Sequence, residues 1–180
     1  MQIKKTKFEG LFIIKMNAFE DDRGSLTKFW LKNDLSEVMS ECEEAYFSYS
    51  KSKTFRGLHY QSAGKAQGKY IVCVNGNVLD VAVDLRPNSA TFGEVFLYDL
   101  CENSKEALYI PEGFAHGFYS YTKSIVLNLS NSKYSPGDEL CFLWSSISAL
   151  NNLDVQNISA KDTNGLILRE YLNEISNSRS

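Results

Sequence analysis

The chain has 180 residues, enough for one domain around one sizeable core. Hydrophobic residues make up 43% and aromatic residues 13%, the composition of a folded globular chain rather than a disordered one. A net charge of −3 supplies no basic field for nucleic acid, and no run of about 18 apolar residues is present to cross a membrane.

From the N-terminus, Met1 to Lys5 leads into mixed polar sequence with no apolar signal-peptide core, so a cytoplasmic location is expected. The stretch from Ile3 to Ile14 reads as a strand able to add to the edge of a neighbouring copy. Asn33 to Met39 is expected to form a short helix, capped by Asn33 or Asp34. Tyr70 to Val74 is β-branched and apolar, and Asn75-Gly76 after it predicts a hairpin turn. In the next segment Leu79, Val81, Val83 and Leu85 alternate with Val78, Asp80, Ala82 and Asp84. That period of two predicts a strand with one packed and one polar face.

Pro87-Asn88-Ser89 then breaks the chain, and Phe92 to Leu100 reads as the next strand. Leu108 to Ile110 leads into a turn at Pro111-Glu112-Gly113, and Phe118 to Leu129 reads as one or two strands. Arg169 to Ile175 is expected to dock as a C-terminal helix, and Ser176 to Ser180 to fray. Short strands spaced by roughly 8–12 residues indicate a sandwich or barrel. No repeat or linker interrupts the chain, so one domain over residues 1 to 180 is expected.

Chemistry-bearing residues are few. The four cysteines, Cys42, Cys73, Cys101 and Cys141, form no CxxC pair and read as free thiols of a reducing compartment. Only two histidines occur, His59 in Arg56-Gly57-Leu58-His59-Tyr60-Gln61 and His116 in Pro111-Glu112-Gly113-Phe114-Ala115-His116. In a regular strand Arg56 and His59 would face opposite sides. A bend at Gly57 would bring both to one pocket. The second stretch carries the PxGxxH pattern of cupin barrels. Two histidines cannot build the cupin three-histidine metal site, so no metal or other cofactor is expected, and proton transfer or plain binding is the natural use of His59.

These motifs occur in order with others: Asp22-Arg23-Gly24, Gly68-Lys69-Tyr70, Asp80 to Arg86, Thr91-Phe92-Gly93 and Ser159-Ala160-Lys161-Asp162. Together, over residues 8 to 165, they resemble the dTDP-4-dehydrorhamnose 3,5-epimerase family. The resemblance implies an all-β, cupin-type jelly-roll barrel with a short helix near each end, and a homodimer. It implies an epimerase acting on a nucleotide-diphosphate sugar, a 4-keto-6-deoxy hexose, in deoxysugar biosynthesis for surface polysaccharide such as lipopolysaccharide O-antigen.

In that family the histidine of the RGLH motif removes the proton α to the C4 ketone, paired with a C-terminal aspartate. Those positions are His59 and Asp162 here. An imidazole, with an ordinary pKa of about 6.5, accepts a proton at cellular pH, and a carboxylate fixes its tautomer. Lys69 matches the lysine at the enolate oxygen, with His116 nearby. Arg23 and Arg56 match contacts to the diphosphate, for which a guanidinium fork is suited. Glu139 and Lys161 match further ligand contacts.

Five departures from the pattern stand out. The family's tyrosine opposite the histidine lies six residues before the tyrosine of a Tyr-x-Pro step. Here the step is Tyr134-Ser135-Pro136 and the matching position is Asn128, an amide that cannot serve as a general acid. A family asparagine aligns with Tyr46, and a glutamine with Glu44. A family glutamate aligns with Lys28. The Asp-Trp-Pro segment after Trp144 is missing. With Asn128 in place, proton exchange is expected to outpace inversion, or one centre alone to invert, with Tyr134 a candidate replacement phenol. Two other readings follow: a 3,4-keto-sugar isomerase, which can work from one face through an enediol, and a non-catalytic sugar-nucleotide binder. The His59–Asp162 pair argues against the last.

Overall fold

The computed structural model describes residues 1–62 and 64–178. The strands are β1 (Gln2–Lys5), β2 (Phe12–Lys15), β3 (Asn17–Asp21), β4 (Gly24–Lys28), β5 (Glu44–Ser50), β6 (Thr54–Gln61) and β7 (Lys69–Asn75). They continue with β8 (Asn77–Asp84), β9 (Val95–Cys101), β10 (Glu106–Ile110), β11 (Phe114–Ser120), β12 (Ser124–Ser130) and β13 (Glu139–Cys141). Two short helices follow, α1 (Ala160–Thr163) and α2 (Leu168–Asn177). A six-stranded sheet in the order β1-β2-β10-β7-β12-β5 faces a five-stranded sheet in the order β13-β6-β11-β8-β9, while β3 and β4 form a separate hairpin. This is the expected all-β jelly roll. No helix among the described residues is long and apolar enough to cross a membrane.

The core has three tiers. Between the sheets, Ile71 and Cys73 of β7, Val126 of β12 and Leu108 of β10 meet Val78 and Ala82 of β8 and Phe114 and Phe118 of β11. Outside the five-stranded sheet, Phe55, Val81, Val83, Ala115 and Tyr119 pack under Phe142, Ile147, Leu150 and Leu168 of the C-terminal segment. Outside the six-stranded sheet, Ile14, Tyr70, Val72 and Leu129 are covered by Leu35 and Met39. This layering corrects the expected polar face of β8. Its Leu79-side row packs outward under the C-terminal segment, and its Val78, Asp80, Ala82 and Asp84 row fills the barrel, where all four are buried.

Other local expectations change for physical reasons. Asn75-Gly76 is no hairpin turn, because β7 and β8 belong to different sheets and the pair turns the corner between them. Gly76 is needed there: its φ is +83°, and a Cβ would lie 2.3 Å from the Lys123 carbonyl oxygen. Residues 33–39 form turns rather than a helix. Leu35 N bonds to Leu31 O and Met39 N to Leu35 O, so two single turns drop Leu35 and Met39 into the core four residues apart without propagating. The helices therefore both lie near the C-terminus.

Ile3 to Ile14 is two strands, β1 and β2, paired antiparallel with Ile3 opposite Ile14, and β1 is the sheet edge. Phe92 to Leu100 becomes a turn and β9, and Phe118 to Leu129 spans parts of β11 and β12. The C-terminal helix is present as α2, and Ser176 and Asn177 belong to it rather than fraying. The part of that expectation concerning residues 179 and 180 lies outside the described residues.

Candidate active site

Along the interior rows of the barrel, side chains turn from apolar to polar at one end. On β12 the row is Val126, Asn128, Ser130; on β7 it is Cys73, Ile71, Lys69; on β11, His116 lies between Phe118 and Phe114. The polar end opens as a cavity of about 300 Å³, lined among others by Tyr46, Arg56, His59, Lys69, His116 and Asn128, with Lys161 and Asp162 from the C-terminal segment. An adjoining cavity of about 320 Å³ continues outward past Glu44, Tyr134 and Glu139.

His59 reaches the cavity through a bulge. On β11, His116 pairs with His59 and Phe118 with Arg56, so two steps on β11 match three on β6. Gly57 adopts φ +104°, and an added Cβ would lie 2.7 Å from His116 O. The extra residue restores Arg56 and His59 to one side, as the bend expected at Gly57 requires. Arg56 is braced by its Nε donating to Ser50 Oγ at 2.9 Å and its Nη2 donating to Tyr49 O at 2.7 Å.

Asp162 sits on α1, a single turn whose N-cap is Ser159. The C-terminal segment is docked beside β6, where Phe55 N donates to Asn157 O at 3.0 Å. Ser159 Oγ accepts from Asp162 N at 3.1 Å. The Asp162 carboxylate faces His59 Nε2 at 2.8 Å and accepts from Gly57 N at 3.2 Å. Burial works to raise this carboxyl, but the His59 hydrogen bond and charge, with Gly57 and Ser159, hold it below the usual carboxylate range. An ionised carboxylate only accepts, so the neutral imidazole carries its hydrogen on Nε2 and its lone pair on Nδ1. Nδ1 is 3.8 Å from Glu139 Oε1, beyond hydrogen-bond reach, and stays available.

The remaining groups surround this pair. Burial pushes the Lys69 ammonium down to about 8, against the pull of Glu139, Asp80 and Glu44. His116, which is buried, is held by Asp80 at 3.0 Å. Lys161 is ion-paired to Glu139, which also accepts from the Tyr134 hydroxyl at 3.2 Å. Cys141 Sγ donates to Asp162 at 3.5 Å, and burial together with Asp162 pushes this thiol up to about 12. Among the described residues, His59, Cys141 and Asp162 are the cluster whose potential metal-ligand atoms come within 4.8 Å of one another.

The structure thus brings together His59, Asp162, Lys69, Arg56, His116, Asn128 and Lys161 in one cavity, with Glu139 and Tyr134 in the adjoining one. It does not bring Arg23 there. Arg23 lies on the β3–β4 hairpin, 90% exposed and paired with Asp21 at 2.6 Å. Sequence reasoning singled out Gly57 as the place of a bend, and Asp80 and Ser159 only as parts of motifs. It noted Tyr46 only as a departure, and gave Cys141 no role.

Comparison with known proteins gives this geometry its family. The family model described as dTDP-4-dehydrorhamnose 3,5-epimerase matches residues 5–170. The chain is 38% identical over 171 residues to dTDP-4-dehydrorhamnose 3,5-epimerase of Shigella flexneri, covering 92% of this chain and 94% of the relative. A crystal structure of the Bacillus anthracis enzyme with TDP and PPi bound superposes with a TM-score of 0.86 at 31% identity, covering 92% of this chain and 98% of that one. The Legionella pneumophila enzyme, in complex with dTDP-4-keto-L-rhamnose, superposes with a TM-score of 0.87 at 29% identity, covering 97% and 96%. Barrel, motif order and overall similarity agree, and the chain belongs to the dTDP-4-dehydrorhamnose 3,5-epimerase family of isomerases.

Proposed function

We propose that this chain epimerises a nucleotide-linked 4-keto-6-deoxy hexose at C3, C5 or both, by proton removal and return. The observation that carries the reading is the His59–Asp162 pair at 2.8 Å on the cavity wall. His59 Nδ1 takes the proton α to the C4 ketone, the C–H electrons pass into the enolate, and Asp162 stabilises the imidazolium. Lys69, seconded by His116, faces the C4 oxygen where charge develops. Arg56 and Lys161 offer their cationic groups to the diphosphate. The nucleotide ligands of the Bacillus and Legionella relatives support the substrate class. Incubation with dTDP-4-keto-6-deoxyglucose in D₂O, followed by NMR, tests it: deuterium should enter at C3 or C5, and its absence would overturn the reading.

Asn128 on the cavity wall favours a second reading, migration of the ketone between C3 and C4, which needs no acid on the opposite face; analysis of the product separates the two. A homodimer in the cytoplasm, feeding surface-polysaccharide synthesis, completes the proposal. The β3–β4 hairpin exposes Phe19 and Leu26 at 57% each, and an isolated two-stranded hairpin is marginal alone. A role for Arg23 at the diphosphate therefore requires that hairpin to reach a second copy. A monomer by light scattering at micromolar concentration would contradict the dimer.

A further inference from the structure

Asn128 and Tyr46 stand opposite each other on one rung of the antiparallel β12–β5 ladder. Residues directly opposite on such a ladder project from the same face of the sheet. Asn128 belongs to the interior row of β12, and both residues line the same cavity, so the phenol and the amide share one wall. In the family pattern the position of Asn128 is a tyrosine and the position of Tyr46 is an asparagine. This chain carries the same two side chains with their strands exchanged. The phenol has moved by one inter-strand spacing, about 4.8 Å, and remains in the cavity.

We infer that Tyr46 is the catalytic acid that returns the proton to the face of the sugar opposite His59. The assignment rests on the epimerase reading above and names the residue that completes it. His59 projects from the five-stranded sheet and Tyr46 from the six-stranded sheet, so a sugar ring in the cavity lies between them. The two side chains also both line the adjoining cavity.

Other groups on that wall serve less well. Asn128 cannot act as a proton donor of the required strength, and its Nδ2 makes only a 3.5 Å contact with Val126 O. The Tyr134 hydroxyl lies in the outer cavity and donates its hydrogen to Glu139 Oε2. The Tyr46 side chain makes no hydrogen bond among the described residues, so its hydroxyl is open to the ligand. Burial, with Glu44 and Glu139, pushes the Tyr46 phenol up while Arg56 works against this, so it is protonated at neutral pH.

The step balances without a further reactant. His59 removes the α-proton and the C–H pair becomes the enolate. The enolate carbon then takes the Tyr46 proton on its other face, and the C=C pair forms the new C–H bond. The phenolate is reprotonated by water as His59 loses its proton to water, leaving the inverted sugar and the resting enzyme.

The test compares the unmodified protein, Tyr46→Phe, Tyr46→Asn, and the exchanged pair Tyr46→Asn with Asn128→Tyr. Each is incubated with dTDP-4-keto-6-deoxyglucose in D₂O, and deuterium exchange is read separately from inverted product. Tyr46→Phe should bind TDP and keep deuterium exchange, because abstraction uses His59. Its inversion rate should fall about 10²-fold or more. The exchanged pair should recover inversion relative to Tyr46→Asn. Tyr46→Phe inverting at the unmodified rate would overturn the assignment alone. If Tyr46→Phe also loses TDP binding, the exchanged pair decides, recovery supporting the assignment and no recovery overturning it. An unmodified protein showing neither exchange nor inversion would overturn the epimerase reading, and this assignment with it.

Discussion

On the five-stranded wall of the cavity, His59 is fixed by Asp162, and Asp162 is fixed in turn by Gly57 N, Ser159 Oγ and Cys141 Sγ. On the six-stranded wall, the Asn128 side chain has one long contact to Val126 O and the Tyr46 side chain has no hydrogen bond among the described residues. The difference follows from the chemistry asked of each wall. A base needs one tautomer and one orientation, which takes a network to impose. An acid needs a protonated hydroxyl within reach of carbon, which more than one position on a ladder can supply. The tightly bonded wall keeps the family motif, and the loosely bonded wall is where this chain departs from it.

Breaking the bonded wall should have the largest effects. His59→Ala is expected to abolish deuterium exchange, a loss of at least about 10⁴-fold, while TDP binding measured by calorimetry persists. Exchange surviving in this variant would remove the base from the five-stranded wall. Asp162→Asn should be nearly as damaging, on the order of 10²- to 10⁴-fold in kcat, because an amide NH₂ facing Nε2 moves the imidazole hydrogen to Nδ1 and blocks the lone pair. The ¹⁵N shifts of His59 should report that change of tautomer.

Lys69 sharpens the comparison through pH. Its protonated form is the one that stabilises the enolate, and burial has brought its pKa down to about 8. Among the charged groups around it, Glu139, Asp80 and Glu44 favour the ammonium and Lys161 opposes it. Lys69 should therefore set the alkaline limb of kcat/KM for the free enzyme, which should fall as pH rises through about 8, while protonation of the His59 base sets the acid limb. Lys69→Met should lower the rate about 10²- to 10³-fold at pH 7. Stability should move the other way. A lysine whose folded pKa lies below its unfolded value opposes folding at pH 7, and that opposition fades as pH rises from about 8 toward 10.5. Lys69→Met should accordingly raise Tm at pH 7 and lose that advantage in alkaline buffer. An unchanged pH profile in a Lys69→Arg variant would count against this role.

The smallest of these effects is read first in stability. Gly57→Ala forces a Cβ to within 2.7 Å of the His116 carbonyl oxygen at a φ of +104°. Urea unfolding should show a loss of about 1–3 kcal/mol. Activity should fall with it, because the Gly57 bulge aligns Arg56 with His59.

The bonded wall was legible in the sequence because its residues lie in compact motifs. Arg56 to His59 and Ser159 to Asp162 each place their groups within four residues, and a bend at Gly57 was readable from the need to turn Arg56 and His59 to one side. The other wall was not, because the register that sets Tyr46 opposite Asn128 joins strands 82 residues apart in the chain. Asn75-Gly76 misled for a similar reason. Its local chemistry suits a hairpin and a corner alike, and only the partner strands decide between them. Asp80 read as part of a polar face because alternation reports which row a residue occupies, not whether a second layer covers that row. Leu35 and Met39 kept their helical spacing as core anchors without the helix.

The central claim is that base and acid act from opposite walls of one cavity. A crystal structure of the protein with a nucleotide-linked 4-keto-6-deoxy sugar tests it most directly. The sugar ring should lie between His59 Nδ1 and the Tyr46 hydroxyl, with its C4 oxygen toward Lys69. A ring with both groups on one face, or a sugar seated outside the cavity with His59 untouched, would contradict the account.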